Sequence, residues 1–229
     1  MSARPAGAWE DLGGVQVHTT GLAVRHWNGA FVTDPAADLS AALPRAQSWF
    51  AVHRMPYGVL VPSEWQLTLP GHSHVADQQV MMQVLDPVRA VRPAVPAGVT
   101  LLWEAPAEPV ALVQAESFDV AADLSLAFVA PLLQAPGWQT VLATVAGEPV
   151  GCASVVVSDG VAGIYGVAVR PRWQRRGIGA GLTAAALRQA VDRGGDLAYL
   201  NPSEAGRSVY ASLGFVDVAP MHIWLPASG

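Results

Sequence analysis

The chain has 229 residues, 52% of them hydrophobic and 14% charged. An average globular domain is about 25% charged, so this composition supports a sizeable core and excludes a disordered chain. A net charge of −5 argues against nucleic acid as the main partner, because phosphate neutralisation needs a basic face. All 13 basic residues are Arg, which removes lysine Schiff bases and P-loop lysines from the available chemistry and suggests a GC-rich bacterial genome.

The one cysteine, Cys152, permits no internal disulfide and fits a reducing cytoplasm. Residues 1–11 show no signal peptide, and the longest apolar stretch, 124–133, is interrupted by Ser125 and Pro131. That is short of the ~20 residues a membrane span needs, so a soluble cytoplasmic protein with no membrane partner is expected. At roughly 150 residues per domain the length corresponds to about one and a half domains. Pro87, Pro93, Pro96, Pro106 and Pro109 crowd one region, which predicts a division into 1–112 and 113–229. No repeat is visible between the two parts.

In the first part, Asp34-Pro35 reads as a helix start, with a capping side chain ahead of proline at the first helical position. Leu39, Leu43, Ala46 and Phe50 share a helical face, and Pro44 is expected to split the segment into two short helices. Residues 57–61, 66–69 and 79–85 read as strands. In the second part, 118–133 has helical periodicity, broken at Pro131. Strands are expected at 139–145, 150–157 and 161–169, with turns at 146–149 and 158–160. A helix follows to about Arg193, with the stripe Ile178, Leu182, Ala186 and Ala190, and Gly194-Gly195 ends it. Residues 197–200 read as a strand, 203–213 as a helix and 215–225 as a final extended segment.

Chemistry concentrates where the strand 161–169 gives way to the helix. Gly177 and Gly179 punctuate that turn, and Arg170, Arg172, Arg175 and Arg176 put four charges within seven residues of an acidic chain. Backbone N–H groups converging at a helix N-terminus attract an anion, and glycine lets a diphosphate approach the backbone. A dinucleotide fingerprint fails, because its third glycine would fall at Leu182; a P-loop fails for want of lysine.

The run Gln174-x-x-Gly177-x-Gly179-Ala180, after Val167-Ala168-Val169-Arg170-Pro171, resembles the acyl-coenzyme-A signature of the GNAT superfamily of N-acetyltransferases. A second signature, from Asn201-Pro202-Ser203 through Tyr210 to Leu213-Gly214-Phe215, is similar to that superfamily's next strand and helix. The resemblance covers about 114–225. It implies a GNAT α/β (α+β) fold: a mixed, largely antiparallel sheet flanked by helices, its central strands splayed. The smaller α/β region 1–112 would then be a divergent GNAT-like portion without the cofactor turn, shaping the acceptor cavity.

The resemblance also implies roles. Val167, Ala168 and Val169 would pair with the pantetheine arm of acetyl-CoA. Gln174, Arg175, Arg176, Gly177, Ile178, Gly179 and Ala180 would form the diphosphate turn. Ser203 stands where many members have Asn. Tyr210 would protonate the departing thiolate, which a phenol near pKa ~10 can do for a thiol near ~8.5. The implied reaction is acetyl transfer from acetyl-CoA to a primary amine of a small molecule or protein, by direct attack in a ternary complex. The alternative is a non-catalytic acyl-CoA-binding sensor or partner module, because strands 161–169 and 197–200 hold no carboxylate to serve as base. Glu116, Glu104 and Glu64 are the remaining candidates, with water as another. A monomer or homodimer is expected.

His72-Ser73-His74 puts two imidazoles on one side of a strand, but spacing supplies no third ligand and no metal is expected. Cys152 reads as a buried core thiol, and Trp27, Trp49, Trp65 and Trp138 read as core anchors rather than pocket walls.

Overall fold

A computed structural model describes residues 7–86 and 94–227. Pro87 and Pro93, together with residues 1–6 of the N-terminal stretch, lie outside the described residues. The chain forms two compact units, one made of residues up to Gln79 plus those from Ala219 onward, the other Val80–Val218. The expected division at 112/113 instead falls inside a helix, Ala107–Phe118. Pro106 and Pro109 sit at the cap and first turn of that helix, where a missing N–H is tolerated, so proline density there marks a helix start rather than a linker.

In the first unit, β1 (Ala8–Asp11), β2 (Val15–Thr19) and β3 (Asn28–Val32) form an antiparallel meander. Helix α1 (Leu39–His53) then crosses over to β4 (Gly58–Pro62), parallel to β3. The C-terminal strand β11 (Val216–Pro226) completes this sheet, pairing antiparallel to β4 from Met221 to Trp224. Val15, Val17 and Thr19 are buried while Gln16 and His18 are not, the period-two pattern of a sheet with one covered face. α1 lays Ala42, Leu43, Ala46 and Phe50 on that face, and Phe50 stacks on Tyr57 at 4.1 Å.

Three expectations fail here for identifiable reasons. α1 is one helix through Pro44, because its buried stripe continues on both sides of the proline and outweighs the ~3 kcal/mol penalty. Its cap is Asp38, whose carboxylate accepts from the Ser40 and Ala41 amides; Asp34 caps only a preceding turn through the Ala36 amide. Residues 66–69 are not a strand, since Gln66 takes a left-handed conformation at φ 48° after a 3-10 turn. Trp49 and Trp65 pack against this unit's core, as expected of anchors.

The second unit takes residues 80–84 of β5 (His72–Val84), then β6 (Val99–Trp103), α2 (Ala107–Phe118), α3 (Ala122–Leu132), β7 (Gln139–Val145), β8 (Glu148–Ser158), β9 (Val161–Val169), α4 (Ile178–Asp192), β10 (Leu197–Leu200) and α5 (Arg207–Ser212). Its strands run β5-β10-β9-β8-β7-β6, antiparallel except for β9 with β10. Val141, Ala143, Ala153, Val155 and Ile164 pack under α4, whereas Leu142, Cys152 and Ala168 pack under α2 and α3. Neighbouring residues of one strand thus face opposite layers, and helices cover both faces of a mixed, largely antiparallel sheet. The helix expected at 118–133 is α3, which starts at Ala122 and runs through Pro131 to Leu132. α2, which the sequence did not announce, ends before it at Asp119 (φ 53°), and Ser125 Oγ ties the two by donating to Ala111 O at 2.9 Å.

The two units repeat one topology: an antiparallel three-strand meander, a helix, and a strand parallel to the third. The sequence showed no such repeat. Among the described residues no helix is long and apolar enough to cross a membrane.

Candidate active site

β9 and β10 pair only from Val161 to Gly163 against Leu197 to Tyr199, and β9 then runs six residues farther. The two strands therefore part and leave a wedge. β9 also carries a bulge: Cys152 faces Ala168 while Ser154 faces Tyr165, so one residue of β8 opposes both Gly166 and Val167. A bulge leaves backbone polar groups outside the ladder. Gly166 is required there, at φ 56°, where a Cβ would lie 2.7 Å from Gln114 Nε2. Cys152 lies beneath, its thiol donating to Gly166 O at 3.6 Å and its pKa pushed up to about 12 by burial. It is a core thiol, as the sequence indicates.

Past Val169 the chain makes a 3-10 turn at Pro171–Trp173, then left-handed residues at Arg175 (φ 61°) and Gly177 (φ 79°) aim it into α4. Gln174 holds the turn against the strand, its carboxamide donating to Val169 O at 3.0 Å. Gly177 caps α4 with no side-chain acceptor, so the first-turn amides lack a capping partner. They border a cavity of about 490 Å³ lined by Val167, Val169, Gln174, Arg175, Gly177, Ile178, Gly179 and Ala180 from the turn side. Ser203, Gly206, Val209 and Tyr210 line it from the segment around α5. Ten expected site residues thus meet on one cavity. Ala168 and Arg176 do not line it: Ala168 is buried in the layer under α2, and the Arg176 guanidinium lies 4.7 Å over the Trp173 ring.

Burial pushes the Tyr210 phenol above its ordinary value, which keeps it protonated near neutral pH. Ser203 Oγ accepts from the Gly206 amide at 3.2 Å, which steadies the approach to α5. Two of the four arginines have other partners. Arg170 grips Glu116 with two bonds of 2.7 and 2.6 Å and Glu148 at 3.0 Å, and Arg172 also pairs with Glu148. The charge cluster therefore divides into an ion-pair network, Arg176 over Trp173, and Arg175, which lines the cavity and has no ion-pair partner among the described residues.

That network also occupies Glu116, whose carboxyl Arg170 grips and holds below the usual range, and Glu116 does not line the cavity. Glu104 borders a different cavity of about 630 Å³, beside Trp103, Trp138 and Gln139, and Glu64 lies on a short turn of the first unit. Among the described residues no carboxylate lines the 490 Å³ cavity. Sequence reasoning missed the polar aromatic group next to the bulge. Tyr165 and Tyr199 share a hydroxyl–hydroxyl hydrogen bond, and Trp138 stacks on Tyr165 at 5.3 Å. Trp138 is thus part of a wall, not a core anchor, and the signal for it was an aromatic on each of two strands that only topology makes neighbours.

Residues 100–215 match the family model described as the acetyltransferase (GNAT) family. A GCN5-related N-acetyltransferase from Kribbella flavida superposes with TM-score 0.73 at 23% identity, covering 97% of this chain and 90% of its own. Another, from Sphaerobacter thermophilus, gives TM-score 0.64 at 18% identity, covering 94% and 81%. A tandem GNAT protein from the clavulanic acid biosynthesis pathway gives 0.66 at 17% identity, covering 97% and 83%. At these identities the structural matches speak to the fold. Comparison with curated proteins finds no match.

Proposed function

The chain belongs to the acetyltransferase (GNAT) family, and from that premise we propose that it transfers an acetyl group from acetyl-CoA to a primary amine, on a small molecule or a protein, by direct attack within a ternary complex. The supporting observation is that one cavity draws on both ends of the signature region, the turn at Gln174 to Ala180 and the Ser203–Tyr210 segment. Its lining suits acetyl-CoA. The uncapped amides and Arg175 match a diphosphate, Val167, Val169 and Ile178 match an apolar arm, and its volume lies in the range of small-molecule sites.

In this reading the amides of Arg175 to Ala180 hold the diphosphate, and Gln174 keeps them aimed by tethering the turn to Val169. The backbone of Val167 to Val169, freed in part by the bulge, pairs with the pantetheine amides and offers an N–H to the thioester oxygen as charge develops. Ser203 stands beside the arm. The acceptor nitrogen bonds to the carbonyl carbon, the C–S bond breaks, and Tyr210 gives its phenolic proton to the departing sulfur. With no carboxylate on the cavity among the described residues, the amine loses its proton to water. The rate then rises with pH along the amine's own titration rather than that of a side chain.

The missing carboxylate equally favours a second reading, a non-catalytic acyl-CoA-binding module. Thiol release measured with acetyl-CoA over a panel of amines separates the two. Turnover on at least one amine supports the transferase, and tight CoA binding with no turnover on any supports the module. We further propose that the first unit is a degenerate copy of the second. It repeats the meander–helix–parallel-strand topology, but Asp38 occupies the N-terminus of α1 with its own carboxylate, where the second unit leaves the amides of α4 open. A carboxylate there repels the anion that the open turn would attract.

A further inference from the structure

Outside the cavity, one group of side chains has the composition and spacing of a metal site. His74 and Asp77 come from β5 and His222 from β11, 145 residues after Asp77, all within the first unit. Asp77 Oδ1 accepts from His74 Nε2 at 2.8 Å and from His222 Nδ1 at 2.6 Å, and the three donor atoms all lie within 4.8 Å of one another. We propose that His74, Asp77 and His222 bind one divalent transition-metal ion of the zinc class, with water completing the shell.

Chemistry and distance both favour this. Two imidazoles and one carboxylate suit Zn²⁺, Ni²⁺ or Co²⁺ and disfavour Mg²⁺ and Ca²⁺, which take all-oxygen shells. Ligand bonds of about 2.0–2.1 Å in a tetrahedral shell place donor atoms about 3.3 Å apart. Two of the present separations are 2.8 and 2.6 Å and the third is within 4.8 Å, so small rotamer shifts of three solvent-accessible side chains admit the ion. Their exposures of 42%, 41% and 28% also leave the remaining positions open to water. His72 is not a ligand. Its Nδ1–H donates to Pro70 O at 2.9 Å and its ring lies outside the cluster of donor atoms, so the pair of imidazoles on one strand becomes one from each of two strands. The ion would tie residue 77 to residue 222 and thereby pin the C-terminal strand into the first unit.

The test uses the full chain, tag-free and stripped with a chelator, titrated with Zn²⁺ alone by calorimetry. One equivalent binds, Mg²⁺ and Ca²⁺ do not, and Tm rises by about 5–10 °C at zinc a hundredfold above its Kd. Removing a second-shell partner costs 10–100-fold in affinity, so His74→Ala, Asp77→Asn and His222→Ala each weaken binding by about 100-fold or more, while His72→Ala does not. Two readouts need no variant. Trp224 lies 5.6 Å from His74, so Ni²⁺ or Cu²⁺ quenches tryptophan emission in step with binding, and Zn²⁺ shifts two imidazole resonances in the NMR spectrum. Absence of saturable zinc binding, binding insensitive to all three variants, or equal loss in His72→Ala overturns the proposal. None of this depends on the acyl-transfer reading, because binding is read without turnover.

Discussion

Gly179→Ala separates a glycine kept for the fold from one kept for a ligand. Gly179 does not have positive φ, and a Cβ there meets only Val169 Cγ2, at an ordinary 3.6 Å. The protein itself therefore has room for alanine. In a helix alanine is favoured over glycine by up to about 1 kcal/mol, so the variant should match or exceed the wild type in Tm by up to about 2–4 °C. Its methyl group would stand where a diphosphate oxygen must approach the first-turn amides. Losing one hydrogen bond to a charged group costs about 1.5–3 kcal/mol, and each ~1.4 kcal/mol is a factor of ten. The KM for acetyl-CoA, and the Kd for CoA by calorimetry, should rise about 10- to 100-fold with no loss of stability. Gly177→Ala is the internal contrast. At φ 79° it strains the backbone by about 1–2 kcal/mol and lowers Tm whatever binds. Unchanged acetyl-CoA affinity in a folded Gly179→Ala protein would refute the diphosphate assignment.

Tyr210→Phe should lower kcat about 10–100-fold with little change in the KM for acetyl-CoA, because the phenol acts only as sulfur departs; unaltered single-turnover transfer would remove it from the mechanism. A chain beginning at residue 113 cuts α2 in half and lacks β6 and the part of β5 that pairs with β10, so it should be insoluble or molten by near-UV circular dichroism. A cooperative thermal transition in that fragment would show that those elements are dispensable. Arg170 depresses the Glu116 pKa, so this pair stabilises the fold above the ordinary carboxylate pKa and stops doing so as pH falls through the lower folded value. The pair is partly exposed, which limits the effect to about 1 kcal/mol. Glu116→Gln should therefore lower Tm at pH 7 and converge with wild type as pH falls below the lowered folded value.

The stretch from Gln139 to Leu200 follows its local order closely. The strands 139–145, 161–169 and 197–200 stand where alternation and turn residues put them, and α4 runs where its apolar stripe and the closing Gly194-Gly195 indicate. There the period of burial, the glycine turn and the strand-to-helix switch all lie within a few residues of one another. Before residue 107 the reading was weaker. β1, β2, β3 and β6 were not read from the sequence, although β2 alternates in burial, and Pro44 misled because tertiary burial overrode its local cost.

What this sequence indicated by itself was the family, the glycine turn ahead of α4 and the candidate position Tyr210, because those depend on contiguous backbone geometry and on residues set a short distance apart. Tertiary structure alone decided the partners of those residues. It assigned Arg170 and Arg172 to Glu116 and Glu148, set Trp138 against Tyr165 and joined Tyr165 to Tyr199 beside the bulge, and, among the described residues, left the cavity without a carboxylate. It also gave β11 to the first unit's sheet and brought His222 to Asp77 across 145 residues. Contacts between residues so far apart leave no spacing in the chain to read. They exist only once burial of each sheet's apolar face has settled which strands are neighbours.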